Sequence, residues 1–414
     1  MRLPIIMIII SYLLLILTDW YIIKDLKIFS IYDRYRPEDK RGGVWWKVYL
    51  GFAIAVLIVL TVGICLPRRN EFTGLSGPLW LLFIVTSVLF SQIVYVLCSF
   101  IGCLPLLFKR RRWNTGLWVG LPMSVLIFSM MWWGSLYGRD RIKVNEIEID
   151  SPKIASSFNG FRIAQISDLH LGTWGNDTTF VSNLVDSVNN LNPDLILFTG
   201  DIVNRTSDEI LPFLNTLSRL KSKYGVFSVM GNHDYGDYVS WDSHKRKMEN
   251  KDSLYSYQHK MGWIMLNNAH TKIKNKEGDA IVLIGVENWG EPPFSQYGSL
   301  TEAYPKDKLK DENFKILMTH NPEHWNREVS EISNIDLTLS GHTHAMQILL
   351  GIGNWKWSPS KYKYEQWAGL YERENEDNYP TKVYVNIGAG EVGLPMRIGA
   401  TPEITLFTLH NSNK

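Results

Sequence analysis

The polar part of this 414-residue chain has no cysteine, and the apolar part that precedes it has no histidine. The three cysteines, Cys65, Cys98 and Cys103, all lie in apolar stretches. The polar part therefore has no disulfide framework and no zinc site of the cysteine type. All ten histidines lie from His170 onward, so imidazole chemistry is confined to the region that lacks thiols.

Each part of the chain also has little of one sign of charge. Residues 1–143 carry 17 Lys or Arg against 7 Asp or Glu, a net charge of +10. The remaining residues carry 26 against 34, a net charge of −8. The two parts are therefore suited to different surroundings. The negative balance of the second part disfavours nucleic acid as a partner.

Four segments of the first part are almost free of charge. About 20 apolar residues suffice to cross a bilayer as a helix, and Trp and Tyr gather near the segment ends, as interfacial anchors do. We therefore predict an all-α transmembrane region of about four helices, which acts as an anchor and contacts the lipid bilayer. A cleaved signal peptide is the alternative for the first segment, which contains Asp19. The predicted region is residues 1–143, with spans at 3–23, 48–66, 79–108 and 115–138.

Loop charge predicts the orientation of these spans. The loops after the first and third spans carry eleven Lys or Arg, whereas the other side has six. The positive-inside rule places the richer side in the cytoplasm, so both termini face outward. We therefore predict a multi-pass integral protein of the cell or inner membrane with an extracytoplasmic second part. A transporter would place more ionisable residues inside its spans, where only Asp19 comes close, near an edge.

From Phe161 the pattern changes to short apolar runs that alternate with polar stretches of helical period. This alternation predicts an α/β domain over residues 160–410, with a linker at 144–159. Helices are expected at 178–191, 208–221 and 301–310. Strands are expected at 161–167, 194–199, 226–230, 281–286, 315–319, 337–340, 382–387 and 404–409.

Five short motifs follow predicted strand ends, where α/β folds collect their ligands. A lone His-x-His or Gly-Asp would be weak evidence, but an ordered set of five at strand ends is strong evidence. Together they supply enough carboxylate, amide oxygen and imidazole for two divalent metal ions. The motifs are Asp168-Leu169-His170, Gly200-Asp201, Gly231-Asn232-His233-Asp234, Thr319-His320 and Gly341-His342-Thr343-His344.

The residue types in these motifs suit hydrolysis. Asp168 and His170 are two residues apart, so on an extended exit from a strand both side chains face the same way. Asp201 follows a glycine, which permits a tight turn that brings its carboxylate between two metals. Two-metal sites mostly hydrolyse bonds at phosphorus or at a carbonyl, and a hydroxide that bridges the metals would be the nucleophile.

His233 is better placed for catalysis than for metal binding, because it adjoins the amide ligand Asn232. It could protonate the leaving oxygen or stabilise the transition state. Asp234 has two interpretations of equal weight, a carboxylate that orients His233 or one that caps a turn. Arg205 could reach a substrate phosphate, although a solvated surface role is favoured. Of the five histidines outside the motifs, four are expected to be packing or surface residues: His244, His259, His270 and His324.

This ordered set resembles the motifs of the calcineurin-like metallophosphoesterase superfamily, over roughly residues 160–409. The flanking segments 158–163, 320–323 and 402–404 resemble the membrane-tethered or exported branch of that family. The resemblance implies a four-layer α/β/β/α sandwich with a dinuclear metal centre. The branch often has two glycines after the last motif histidine, where this chain has Ala345 and Met346. This departure concerns substrate preference, since no ligand is lost.

Residue by residue, the resemblance implies the following roles. Asp201 would bridge two metal ions, and His233 would be the catalytic histidine. Mixed nitrogen and oxygen ligation permits Mn, Fe, Zn or Co. The first metal would be held by Asp168, His170 and His344, and the second by Asn232, His320 and His342.

The function predicted from these features is hydrolysis of a phosphodiester or pyrophosphate bond by a membrane-anchored metallophosphoesterase. The tether points to a phospholipid or lipid-linked substrate. The alternatives are an enzyme for soluble extracytoplasmic phosphates and a non-catalytic membrane scaffold or sensor. A metallo-β-lactamase-like hydrolase is disfavoured, because the chain lacks a compact His-x-His-x-Asp-His run. The aromatic stretch from Trp355 to Trp367 could be a cap that touches lipid headgroups or a packed insertion, with equal weight.

Overall fold

The computed structural model describes residues 5–32, 44–65, 75–290, 295–304, 313–332, 334–353, 355–374 and 378–413. The chain divides into two compact units, residues 1–135 and 136–414. The boundary between them lies close to the point where the apolar segments end and the polar sequence begins.

The first unit is helical, as predicted. In the described residues, three segments are long and apolar enough to cross a membrane: Trp45–Cys65, Ser76–Phe108 and Gly116–Asp140. Buried Leu15, Val56 and Val85 pack the first three helices together. The four long helices are α1 (Ile5–Tyr32), α2 (Trp45–Cys65), α3 (Ser76–Ile101) and α4 (Leu121–Leu136).

Two carboxylates of α1 are buried in this unit. Asp19 is 5% exposed, and its Oδ1 accepts hydrogen bonds from the Tyr49 hydroxyl and the Gln92 amide, each at 2.8 Å. The sequence placed Asp19 near a span edge, where water would satisfy it. The structure instead surrounds it with polar side chains from α2 and α3.

Asp25 is the second buried carboxylate, at 2% exposure. Its Oδ1 lies 2.6 Å from Arg112 Nη1. Its Oδ2 accepts hydrogen bonds from the Tyr95 hydroxyl and from Ser99 Oγ, each at 2.9 Å. Both carboxylate oxygens therefore have partners within the same unit.

The second unit contains two mixed six-stranded sheets. The first has the order β1 (Lys143–Ser151), β14 (Glu403–Asn411), β2 (Phe161–Ile166), β3 (Leu195–Phe198), β4 (Val226–Ser228) and β5 (Trp263–Met265). The second has the order β12 (Gly369–Glu374), β13 (Pro380–Val385), β9 (Leu337–Ser340), β8 (Lys315–Met318), β7 (Ala280–Gly285) and β6 (Ala269–Lys274). A separate two-stranded ribbon consists of β10 (Leu350–Ile352) and β11 (Trp355–Trp357).

Alternation along each central strand explains how these sheets stack. Leu195 and Leu197 of β3 enter a core shared with the second sheet, whereas Ile196 and Phe198 enter a core shared with helices. Successive strand residues face opposite sides, so a strand buried on both sides is apolar throughout. A third core joins the second sheet to Leu300 and Trp325. Three cores between helices, sheet, sheet and helices confirm the predicted four-layer sandwich.

The described helices of this unit pack on the outer faces of the sheets. They are α5 (Thr179–Asn190), α6 (Leu214–Leu217), α7 (His244–Lys260), α8 (Leu300–Ala303) and α9 (Ser330–Ile332). The helix predicted at 208–221 begins as a 3-10 helix, Ser207–Phe213, and continues as α6. The helix predicted at 301–310 coincides with α8 at its start, and residues 305–310 lie outside the described part.

All eight predicted strands are present, each within two residues of its expected bounds. The parallel order β2–β3–β4 and the parallel set β9–β8–β7 bring their carboxyl ends to neighbouring edges. Unpredicted elements include β1, β5, β6, β12 and α7. The strand β1 pairs with β14 along nine residues, within the segment that the sequence indicated as a linker.

Candidate metal centre

The chain turns sharply just beyond several central strands. Asp168 follows β2, Asp201 follows β3 and His342 follows β9, with φ angles of +55°, +58° and +74°. Non-glycine residues seldom occupy this left-handed region, and strain of this kind concentrates at functional sites. The turns direct side chains from both sheets into one buried cluster.

Gly200 and Gly341 permit the close approach of these turns. Gly200 has a φ angle of +100°, and a Cβ atom there would lie 2.6 Å from the Gly231 nitrogen and 2.8 Å from His320 Nδ1. A Cβ atom at Gly341 would collide with the Asp168 carboxylate. Two of the three motif glycines are therefore required by close packing against the ligand residues.

The first group of candidate ligands is Asp168, His170 and His344. His344 Nε2 lies 3.1 Å from Asp168 Oδ1 and 3.1 Å from His170 Nε2. His170 Nε2 is 3.8 Å from the same carboxylate oxygen. One ligand atom from each residue lies within 4.8 Å of the others, and all three residues are buried. This group could hold one metal ion.

The second group is Asp201, His320 and His342. His320 Nε2 lies 3.0 Å from Asp201 Oδ2 and 3.2 Å from His342 Nδ1. Asp201 Oδ2 is also 3.7 Å from His170 Nε2, in the first group. The carboxylate of Asp201 therefore lies between the two groups, where a bridging ligand would have to be.

Asn232 supplies the amide oxygen of this centre. Its Nδ2 donates a hydrogen bond of 2.8 Å to the Tyr238 hydroxyl, which fixes the orientation of the amide. Its Oδ1 is buried and accepts no hydrogen bond in the described structure. An unsatisfied buried oxygen costs about 1–3 kcal/mol. A buried amide oxygen without a donor fits the role of a ligand for a divalent cation.

The electrostatics of the cluster favour metal-binding protonation states. Burial alone would raise the pKa of Asp168, but His344 and His320 hold it well below the usual range. Burial lowers the pKa of His170 to about 4 and, together with the His320 charge, that of His342 to about 3. Metals bind ionised carboxylates and neutral imidazoles, so these directions match what a cation requires.

His320 carries the opposite shift. Burial would lower its pKa, but the carboxylates of Asp201 and Asp168 raise it to about 10. Its Nδ1 lies 2.8 Å from the Thr199 carbonyl oxygen, which leaves Nε2 directed at Asp201. A protonated His320 therefore supplies the positive charge that compensates the Asp201 and Asp168 carboxylates. A bound cation could supply this charge instead.

His233 lies at the edge of the cluster. Its Nδ1 donates a hydrogen bond of 2.8 Å to the Asn204 carbonyl oxygen, and its ring stacks on Tyr238 with centroids 4.3 Å apart. A ring nitrogen of His233 lies within 4.8 Å of ligand atoms of His170 and Asp201. Because Nδ1 is engaged, Nε2 remains available for proton transfer.

The sequence offered two interpretations of Asp234, a carboxylate that orients His233 or one that caps a turn. Its hydrogen bonds agree with the second. Its Oδ2 accepts from the backbone amides of Gly231 and Asp201, at 2.8 and 2.9 Å. Its Oδ1 accepts from the amides of Ile202 and Val203, at 2.9 and 3.3 Å. The imidazole of His233 is oriented by Asn204 instead. Asp234 thus holds together the two loops that carry Asp201 and Asn232.

Three further residues contact the cluster and were not predicted. The Asn204 carbonyl orients His233, and the Tyr364 hydroxyl lies 3.0 Å from His342 Nε2. Arg397 is fully buried, and its Nη2 lies 3.2 Å from His344 Nδ1. Asn204 is close in sequence to Asp201, which is a weak signal, whereas neither Tyr364 nor Arg397 lies in a motif.

The remaining histidines and Arg205 lie apart from the candidate metal ligands. His324 is buried, 2.9 Å from Thr319 Oγ1 and 3.1 Å from Glu328 Oε2, which agrees with a packing role. Arg205 is 7% exposed, and its Nε lies 3.5 Å from Glu209, so it is not the solvated side chain that the sequence favoured. His244 and His259 are exposed and His270 is half-buried.

Comparisons with known proteins agree with this geometry. Residues 161–346 match the family model described as calcineurin-like phosphoesterase. Residues 1–139 match a model described as a probable calcineurin-like phosphoesterase transmembrane domain. The uncharacterized metallophosphoesterase YkuE of Bacillus subtilis is 30% identical over 74% of this chain and 99% of its own length.

Two further relatives carry more specific names. A transmembrane protein with metallophosphoesterase domain from Danio rerio is 32% identical over 64% of this chain. The match spans 57% of that protein's own length. The UDP-2,3-diacylglucosamine pyrophosphatase LpxG of Chlamydia muridarum is 27% identical over 56% of this chain and 78% of its own length.

Proposed function

Because the chain belongs to the calcineurin-like metallophosphoesterase family and is a membrane protein, we propose that it hydrolyses a phosphodiester or pyrophosphate bond with two divalent metal ions. The observation that carries this proposal is the position of Asp201, whose Oδ2 lies 3.0 Å from His320 and 3.7 Å from His170. One carboxylate shared by two ligand groups is the arrangement that a dinuclear centre needs.

In this proposal Asp168, His170 and His344 hold one ion, and Asn232, His320 and His342 hold the other. Two ions there would activate water as a nucleophile and polarise the phosphoryl oxygens. Mn, Fe, Zn and Co all suit the nitrogen and oxygen donors, as the sequence indicated.

The protein's own residues then act on the substrate. The Asp201 carboxylate and the Asn204 carbonyl favour the protonated form of His233, against the effect of burial on its pKa. The protonated imidazole donates its Nε2 proton to the leaving oxygen and becomes a neutral imidazole with its remaining proton on Nδ1. Asp234 acts as a positioning residue, because its four amide hydrogen bonds fix the backbone around Asp201 and Asn232. Burial of the ligand carboxylates keeps bulk water away from the charged groups.

A lipid-linked substrate is the finer part of the proposal. The helical first unit keeps the enzyme at a bilayer, where phospholipids and lipid-linked pyrophosphates are concentrated. LpxG, which is named as a pyrophosphatase of UDP-2,3-diacylglucosamine, is similar to 56% of this chain. We also propose that the second unit is extracytoplasmic. The eleven basic residues in the loops after the first and third predicted spans support this orientation, because they favour the cytoplasmic side for those loops.

Hydrolysis is tested with the full chain in detergent, stripped of metal and reloaded with manganese. The substrate is a generic aryl phosphodiester, and Asp201→Ala is the matched variant. We expect manganese-dependent turnover that falls by at least about a thousandfold in the variant, because loss of a bridging ligand removes the electrostatic stabilisation of the transition state. Folded wild-type protein that binds two ions and has no turnover on aryl or lipid phosphoesters would contradict an enzymatic role.

His233→Gln separates an enzyme from a binding scaffold. An enzyme should retain both metals, measured by elemental analysis, and lose about 10²–10⁴-fold in kcat. A scaffold that only binds a phosphorylated ligand would show no change of function with this substitution. Orientation is tested separately, with the three native cysteines replaced by serine, by labelling a cysteine introduced at exposed Lys276 with a membrane-impermeant maleimide in intact cells. Labelling only after lysis would place the second unit in the cytoplasm.

A further inference from the structure

The ribbon of β10 and β11 presents an apolar face to solvent. Its register pairs Leu350 with Trp357 and Ile352 with Trp355, so these four side chains share one face of the ribbon. The exposed fractions of Ile352 and Trp355 are 84% and 58%. Tyr362, in the following 3-10 helix Pro359–Tyr362, is 76% exposed.

Two exposed lysines, Lys361 and Lys363, lie in and just after the 3-10 helix that follows this apolar face. Lys356 is also exposed, but it pairs with Gly351 on the opposite face of the ribbon. Lys361 Nζ lies 5.3 Å from the Tyr362 ring centroid. We call Leu350, Ile352, Trp355, Lys361 and Tyr362 the ribbon surface. Long basic chains and amphipathic aromatic rings around an apolar centre are the composition that favours a membrane interface.

The ribbon surface is attached directly to the candidate metal centre. The Ser358 hydroxyl donates a hydrogen bond of 2.6 Å to the Ala345 carbonyl, next to His344. The Thr343 hydroxyl donates one of 2.7 Å to the Trp367 carbonyl. The Tyr364 hydroxyl lies 3.0 Å from Nε2 of His342. These bonds connect the insertion that carries the ribbon to the turn that carries two candidate ligands.

A lipid bilayer is the occupant that these features favour. A contiguous exposed apolar face on a water-facing domain marks a site of contact with a protein or a membrane. The basic rim is complementary to anionic headgroups, and each lysine near an anionic surface adds to membrane affinity. The chain also carries its own spans, which keep the second unit at a high effective concentration near lipid.

We propose that the ribbon surface inserts into the headgroup region of an anionic bilayer and presents lipid phosphoesters to the metal centre. The presentation of substrate rests on the proposed hydrolytic function, whereas insertion does not. The ribbon would thereby select substrates that are embedded in a membrane over those that are free in solution.

Insertion is tested without any activity measurement. The full chain, with its three native cysteines replaced by serine, carries Ile352→Cys labelled with an environment-sensitive nitrobenzoxadiazole dye. It is reconstituted in nanodiscs of phosphatidylcholine and phosphatidylglycerol in equal parts, with or without spin-labelled lipid as a quencher. The control is Ile264→Cys, because Ile264 is 48% exposed on β5 of the other sheet.

We expect a blue-shifted emission and strong quenching at position 352 and neither at position 264. Equal signals at the two positions in well-folded protein would overturn the proposal. Equal signals are also the result expected if the ribbon is instead a docking site for a protein partner, which the nanodiscs do not contain. Trp355→Cys provides a second labelled position if the first variant folds poorly. This result is independent of whether the enzyme turns over any substrate, so its failure is distinct from failure of the proposed function.

Substrate selection is tested in the same nanodiscs with the double variant Ile352→Glu and Trp355→Glu. The readout is the rate on a fluorescent phospholipid phosphodiester embedded in the disc, divided by the rate on a soluble aryl phosphodiester. We expect this ratio to fall by at least about tenfold, because two carboxylates replace apolar side chains that the proposal places in the bilayer. Ile264→Glu should leave the ratio unchanged. An unchanged ratio in the double variant would overturn the role in presenting substrate.

Discussion

Asp25 of the helical unit and the carboxylates of the candidate metal centre are buried in opposite ways. Both oxygens of Asp25 have partners, which are Arg112, Tyr95 and Ser99. In the metal centre, Asp168 and Asp201 face imidazoles that also face one another, and the amide oxygen of Asn232 accepts no hydrogen bond in the described structure. A buried carboxylate whose two oxygens are both paired stabilises a packing arrangement. A network with free lone pairs retains the capacity to bind a cation, at a cost in stability.

Asp234 tests this contrast most strongly, because it is a fully paired carboxylate inside the second unit. Asp234→Ala leaves four buried amides without acceptors and should destabilise the unit by about 3–5 kcal/mol. The midpoint of thermal unfolding should fall by roughly 10 °C. The control is Asp186→Ala, whose side chain is 55% exposed in an ion pair with Arg219. Unchanged stability with a lost kcat would instead assign Asp234 to the orientation of His233.

Removal of metal should lower the stability of the second unit and leave that of the helical unit unchanged. A cation bound only by the folded second unit stabilises it by about 2.7 kcal/mol at a hundredfold excess over Kd. After chelation, hydrogen exchange followed by mass spectrometry should therefore speed up around Asp168 and Asp201. Exchange in α2 and α3 should stay the same. Faster exchange in both units would show that metal stabilises more than the candidate centre.

Arg112→Met breaks the paired network of the helical unit. We expect a loss of about 1–3 kcal/mol, less than for a fully enclosed pair, because the Arg112 side chain is 21% exposed. Thermal unfolding in detergent measures this loss, with exposed Arg111→Met as the control. Adding Asp25→Asn should recover part of the stability, because it removes the uncompensated charge. A double variant no more stable than Arg112→Met would argue against the pairing.

Gln92→Leu should have the smallest effect. Gln92 donates to Asp19 at 2.8 Å and to Tyr49 at 3.0 Å, and it accepts from Thr18 at 2.9 Å. Hydrogen bonds between helices in membranes average about 0.6 kcal/mol each, so the loss should be about 1–2 kcal/mol. The control is Ser91→Ala, because the Ser91 hydroxyl bonds only within its own helix, to the Ser87 carbonyl. An effect of Gln92→Leu as large as that of Arg112→Met would mean that the Asp19 network is as important as the ion pair. Thermal unfolding in the same detergent compares Gln92→Leu and Ser91→Ala with the Arg112→Met and Arg111→Met variants.

The sequence predicts the central strands well, because both faces of these strands are buried and their residues are uniformly apolar. It fails at the edges. Strand β12 alternates half-buried and exposed residues, and β5 has only three residues. Helix α7 is largely charged, and Leu254 is its one apolar side chain that is buried in the described structure, so it shows no apolar period.

The metal centre is a similar case. Six of the seven candidate ligands lie in the two neighbouring groups of the structure, since their motifs follow strands that the sequence also identifies. Side-chain direction is not encoded in spacing, however. His233 and Asp234 are adjacent in sequence, yet their side chains have different partners. The His233 ring donates to the Asn204 carbonyl, whereas the Asp234 carboxylate accepts from four backbone amides. Arg397 reaches His344 from 53 residues away, which no local pattern could indicate.

The strand β14 lies between β1 and β2, and this position has a consequence for biosynthesis. Residues Glu403–Asn411 pair with the strand that follows the helical unit and with the strand that precedes Asp168. Until these residues have left the ribosome, β1 has no partner in its sheet and β2 has a free edge. The unit therefore cannot complete its first sheet before these residues emerge, and a chain interrupted earlier would display two strands with unpaired edges to quality-control proteases.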